Sequence, residues 1–223
     1  ELERYILGRL FHLDKAIQEN LKNYNFHKLY KELLNFCTLE LSSFYFDIRK
    51  DVLYCDDLNS KKRKDCIVVL NIILDCLIRW FAPIFAFTTE EIFTLLNKNE
   101  NSVHELPYPE IPQKWENKTL SEKWKNLYQI KQDVNIAIEE KRSNKEIGSS
   151  LEANLLIYVN KKEFKLLEKL DLEEYFITSK AKKIHNTTED KIKIEVKKSI
   201  CTKCTLCWKI LEKKCTRKHC GIS

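Results

Sequence analysis

Methionine is absent from the 223 residues, and glycine and proline are scarce, at three and four. The lack of an initiating methionine predicts an internal start within a longer polypeptide. So few glycines and prolines argue against a sheet built from many tight turns, because those residues supply the special φ values that turns require. No uninterrupted apolar run of about 18 residues occurs. The longest candidate, residues 66–87, is broken by Asp75, Arg79 and Pro83. No membrane partner is therefore expected. Arg4 and Arg9 lie within an amphipathic pattern rather than ahead of an apolar block, so no secretory signal is read and a cytoplasmic setting is expected. A glycine-rich phosphate loop is lacking. His12, His27, His104 and His185 are dispersed rather than gathered into an acid–base cluster.

What is present is 43% hydrophobic and 32% charged, a balance suited to a buried core under a helix-rich surface. Leu2, Ile6, Leu10, Leu13, Ile17 and Leu21 recur at steps of three and four and predict a first amphipathic helix. Phe26, Tyr30, Leu33, Leu34, Cys37, Leu41, Phe44 and Ile48 predict a second, longer one. Ile67, Leu70, Leu74, Leu77 and Phe81 line a third, capped by Ser60 and ending before Pro83. Thr88 with Glu91, and Thr119 with Glu122, have the spacing of capping boxes and predict helices to about Leu96 and Arg142. Between them, residues 97–118 hold Pro107, Pro109 and Pro112 and read as an extended connection.

The fold expected is mainly α: a helix bundle over 1–143, since each apolar stripe must find a partner face. A small α+β segment over 144–198 follows. Within it, 155–159 reads as a strand, 161–170 as a short helix, 175–178 as β-prone, and Ile192, Ile194 and Val196 alternate with charged residues as a half-exposed strand does. Residues 199–223 form a third, cysteine-rich module.

Residues 191–220 carry ten Lys or Arg and two acids, a net of +8 against +6 for the whole chain, so the remainder is close to −2. A basic end on a near-neutral body is the footprint of a polyanion partner. Cys37, Cys55, Cys66 and Cys76 are scattered through helical sequence, where thiols act as small core groups. Cys201, Cys204, Cys207, Cys215 and Cys220 crowd into twenty positions. Cys204-Thr205-Leu206-Cys207 is a C-x2-C knuckle that can bring two sulfurs onto one tetrahedral ion. Cys215 and Cys220 would complete a closed structural zinc site, with Cys201 and His219 as alternative ligands. Lys203, Lys209, Arg217 and Lys218 surround the knuckle. Trp208 offers either a stacking surface for unpaired bases or a shield over the metal.

The run Ser42-Ser43-Phe44-Tyr45-Phe46-Asp47, continuing to Leu53-Tyr54-Cys55-Asp56, resembles the anticodon-binding helix of isoleucyl-tRNA synthetases of bacterial type. Further matches follow in order. They are Arg79-Trp80-Phe81-Ala82-Pro83-Ile84, Phe87-Thr88-Thr89-Glu90-Glu91-Ile92, Ser102-Val103-His104, Lys145 through Ala153, and Lys203-Cys204-Thr205-Leu206-Cys207-Trp208. The family's tail more usually repeats C-x2-C, whereas here the second pair is C-x4-C after seven residues. The resemblance implies an anticodon-binding helix bundle with a C-terminal zinc knuckle, a tRNA(Ile) partner, no DNA partner and a monomer. The whole enzyme attaches isoleucine to tRNA using ATP and Mg2+. Its HIGH-like and KMSKS-like signatures do not occur in these residues, so no catalytic residue is expected here. Arg49 and Lys50, following the signature, are candidate phosphate contacts. The alternatives are a free-standing zinc-ribbon RNA- or protein-binding factor, or the equivalent region of a valyl- or leucyl-tRNA synthetase.

Overall fold

The computed structural model describes residues 1–96, 102–186, 192–212 and 215. They divide into two compact units, one of residues 1–46 and 61–118, the other of 47–60 and 119 onward.

In the first unit, α1 (Leu2–Lys22) buries Leu2, Ile6, Leu10, Leu13 and Ile17, the stripe the periodicity marks. A left-handed Tyr24 turns the chain, and the Asn25 side chain accepts from the Lys28 N–H to cap α2 (Phe26–Asn35). The single long helix predicted from Phe26 to Ile48 is not one α-helix. Phe36–Phe46 widens into a π-helix, and regular α-geometry resumes only in α3 (Asp47–Cys55). The buried residues show the widening. Leu29, Leu33 and Phe36 keep α spacing, then the next core residue is Leu41, five positions on. A π turn holds more residues than an α turn and shifts the phase of the face. Tyr45 thereby reaches the core and donates its hydroxyl to Cys66 Sγ at 3.3 Å.

Helix α4 (Lys61–Phe81) corrects another expectation. Its core face is Cys66, Val69, Ile73, Cys76 and Trp80, one residue out of step with the predicted stripe, and Ile67 and Leu74 are 41% and 37% exposed. Both stripes have helical spacing, and the thiols, which pack like small apolar groups, decide between them. Helix α5 (Ala86–Leu96) begins ahead of Thr88, so the capping box read there does not form; Thr89 instead donates its hydroxyl to the Phe85 carbonyl at 3.0 Å. Ile78, Ala82, Phe93 and Val103 form a local core under Leu106. Glu90 ties the following turn down by accepting from Ser102 Oγ and the Val103 N–H at 3.0 and 2.9 Å. A short 3-10 turn at Gln113–Trp115 lies so close to α1 that a Cβ on Gly8 would stand 3.2 Å from the Trp115 carbonyl oxygen.

The second unit gathers α3, α6 (Lys118–Ser143) and a three-stranded sheet. Helix α6 starts one residue before Thr119, which therefore lies in the first turn and not at the cap. It buries Trp124, Leu127, Ile130, Val134 and Ile138. Strand β1 (Ala153–Val159) is central, with alternate residues buried. It runs parallel to β2 (Lys180–His185) and antiparallel to β3 (Lys193–Lys198). The crossover from β1 to β2 carries α7 (Lys161–Leu166), opened by an Asn160/Glu163 capping box, and α8 (Leu172–Phe176). The β-prone reading of 175–178 is thus overturned. Asp171 caps α8 by accepting from the Glu174 N–H, Tyr175 and Phe176 bury their rings, and left-handed Ile177 ends the helix. Strand β2, whose lysines hide its pattern, took its place. Among the described residues, no helix is long and apolar enough to cross a membrane.

Candidate metal centre and nucleic-acid interface

The cysteine module begins as a two-stranded hairpin in which β4 (Thr202–Lys203) pairs with β5 (Ile210–Leu211). Its loop is the C-x2-C knuckle. The Cys204 N–H donates to the Lys209 carbonyl at 2.9 Å, and the Trp208 N–H donates to the Cys204 carbonyl at 3.1 Å. Trp208 closes the turn at φ 61°, a left-handed conformation that costs a bulky residue more than glycine. That geometry throws the indole outward, 60% exposed, with the Lys203 ammonium 6.0 Å from the ring centroid.

The sulfurs of Cys204, Cys207 and Cys215 all lie within 4.8 Å of one another. Cys207 is buried and the other two are partly so. Three convergent soft donors can hold a metal ion such as zinc. Burial pushes the Cys207 thiol up to about 11; the Lys209 backbone hydrogen bond opposes this, and Cys204 and Cys215 reinforce it. Metal binding therefore has protons to displace. Cys201 is exposed and outside the cluster. Cys220, His219, Arg217 and Lys218 lie outside the described residues.

Cys55, one of the thiols scattered through helical sequence, ends α3. It is buried against Cys207, with Cys204 and Cys215 packed on the same cluster. Asp51, one turn earlier, faces the Lys209 ammonium at 4.0 Å, and Lys209 is only 8% exposed. Ser179 Oγ accepts from the Ile210 N–H at 2.6 Å, and Lys180 pairs with Glu212 at 2.7 Å. The knuckle is thus seated on α3 and on the start of β2. The signal for Cys55 was its place inside the signature run, but nothing in its spacing pairs it with residues 150 positions away.

Arg49 and Lys50, adjacent in sequence, have opposite surroundings. Arg49 is buried and its guanidinium donates to Glu174 Oε1 at 2.7 Å. Lys50 is exposed, 2.6 Å from Asp47. Beside this pair Lys131 is also buried, donating its ammonium to the Tyr175 carbonyl at 2.5 Å. Burial pushes Lys131 down to about 8; Asp47 opposes the shift and Lys50 adds to it. Arg49 and Lys131 are therefore internal cations holding α3, α6 and α8 together, while Lys50, Lys203 and Trp208 face solvent.

Residues 3–157 match the family described as the anticodon-binding domain of tRNA ligase. The chain is 52% identical over 217 residues to an isoleucine–tRNA ligase of Pelagibacter ubique (strain HTCC1062), covering 97% of this chain and 24% of that protein. It is 41% identical over 180 residues to that of Mesorhizobium japonicum, covering 80% of this chain and 18% of the relative. It is 36% identical over 229 residues to that of Buchnera aphidicola subsp. Baizongia pistaciae, covering 95% and 24%. The chain spans about a quarter or less of the length of these relatives.

Proposed function

The chain belongs to the anticodon-binding domain family of tRNA ligases and corresponds to the anticodon-binding portion of isoleucine–tRNA ligase; from that premise we propose that it binds tRNA(Ile) through its anticodon arm. The observation that carries this is the joining of the signature helix to a basic cysteine knuckle. Cys55 and Asp51 of α3 meet Cys207 and Lys209, so two elements with exposed cations are fixed in one unit. Lys50 and Lys203 supply phosphate contacts, and the outward indole of Trp208 supplies a face on which an unstacked base can lie. Arg217 and Lys218, which lie outside the described residues, are further candidate phosphate contacts by charge alone. Arg49 acts by holding α3 in place.

Zinc is the metal this donor set suits. When bound, it supplies structural cross-linking, with Cys204, Cys207 and Cys215 as ligands and Cys220 as the fourth. Attachment of isoleucine with ATP and Mg2+ is the work of the whole ligase in the cytoplasm, and this chain, a monomer, contributes binding rather than bond-making.

Fluorescence anisotropy with transcripts of tRNA(Ile) and tRNA(Val) tests the reading. The zinc-loaded chain should prefer the isoleucine transcript, and equal affinity for both, or no binding at low salt, refutes the assignment.

A further inference from the structure

The stretch Lys145–Ala153 carries part of the family resemblance, yet neither the metal centre nor the α3 surface uses it. It joins α6 to β1. Lys145 is left-handed at φ 60°, its N–H returning to the Arg142 carbonyl, and buried Ile147 pins the loop. The acids of the stretch are already partnered: Lys141 holds Glu146 at 2.9 Å, and Glu152 accepts the Gly148 N–H within the loop at 2.9 Å. Two adjoining open clefts of about 610 and 360 Å³ flank the loop and share Glu139 and Arg142. Ser149 and Ser150 line one; Lys145 and Lys198 line the other. Ser149 stands at the N-cap of the Ser150–Glu152 turn, but its hydroxyl makes no capping bond. Three cations face a single acid, Glu139, which takes one bond from Arg142 at 2.8 Å and leaves the guanidinium's other N–H groups uncommitted to it.

We infer that this cleft binds the phosphodiester backbone of RNA, as a second contact separate from the α3 and knuckle surface. Serine hydroxyls donate to phosphate oxygens, and lysine and arginine neutralise the charge and release counterions. A site of this kind fixes register on the RNA and reads no sequence. The inference rests on the tRNA-binding reading above. It competes with a plainer role: Arg142 and Lys145 close the C-terminal end of α6, where cations also offset the helix dipole.

Two double variants of the 223-residue chain separate these roles, K145Q/K198Q and S149A/S150A, with tRNA(Ile) transcript as the probe between about 50 and 200 mM salt. For K145Q/K198Q, affinity should fall roughly tenfold at low salt and the slope of log K against log salt should flatten by about 1–2. For S149A/S150A, affinity should fall several-fold with the slope unchanged. Both should melt like the parent, since all four side chains are solvent-facing or partly so. Unchanged affinity and slope overturn the inference, and so does a lowered melting temperature with unchanged RNA binding, which assigns the cations to the helix end. Loss of acidic-peptide binding in the variants, with RNA affinity unaltered, overturns the inference and assigns the cleft to a protein partner. If the parent chain binds no tRNA, the underlying reading fails and this inference with it; variants that bind like a competent parent refute the cleft alone.

Discussion

Arg49 and Lys131 show why a cation's position in sequence does not give its role. Each bears a charge that burial disfavours, and each is retained because an internal acceptor meets it, Glu174 for one and the Tyr175 carbonyl for the other. Removing one member of a buried pair strands the other and costs about 3–5 kcal/mol. Arg49→Met should therefore lower the unfolding free energy from urea titration by that order, whereas Lys50→Met should leave it nearly unmoved and weaken tRNA binding. Lys131 makes a prediction in pH. Its folded value, about 8, lies below the ordinary lysine value of 10.5, so between them the unfolded chain holds more protons. Stability should rise as pH increases from about 8 to 10.5, with no gain from this group below 8. The upper bound is about 3 kcal/mol. Urea titrations at pH 7.5 and 10 check this against Lys131→Met, in which that part of the rise should vanish.

At the scale of elements, the π segment and the short hairpin both place signature residues. The Phe36–Phe46 widening carries Tyr45 to Cys66. Tyr45→Phe should cost about 1 kcal/mol, the net worth of a buried hydrogen bond, read as a lowered urea midpoint with unchanged helicity. The hairpin is too short to stand alone, since two-residue strands bury almost nothing. Its order should depend on the metal and on the seat that α3 provides. Purified protein should hold about one zinc per chain, and chelation should release it. Amide exchange should then accelerate at residues 202–211 and near Cys55 while the helical circular dichroism persists. Protein purified without bound metal, or unaltered exchange after chelation, would contradict this.

For the whole molecule, the decisive quantity is the uneven charge. Residues 191–220 hold a net +8 in a chain of +6. RNA affinity should therefore fall steeply with salt, as counterion release requires. A truncation ending at residue 198 should bind more weakly and with a shallower salt dependence. An unchanged slope would place the phosphate contacts elsewhere. The division into two compact units runs through the signature itself, after Phe46 and again after Ser60. Residues 47–60 thus pack with the sheet and knuckle, although helices of the other unit flank them in sequence.

The sequence alone determined the helical class, the stripe of α1, the strand β1, the alternating strand β3 and the C-x2-C knuckle. These depend on local periodicity or on spacing within one turn, and local rules reach that far. Only the tertiary structure decided the π-helical phase shift, which of two adjacent stripes of α4 turns inward, and the helical fate of Tyr175 and Phe176. It alone also brought Cys55 to Cys207 and Arg49 to Glu174. Those outcomes turn on partners more than a hundred positions away or on competing packings of similar side chains, and periodicity along one segment has no term for either.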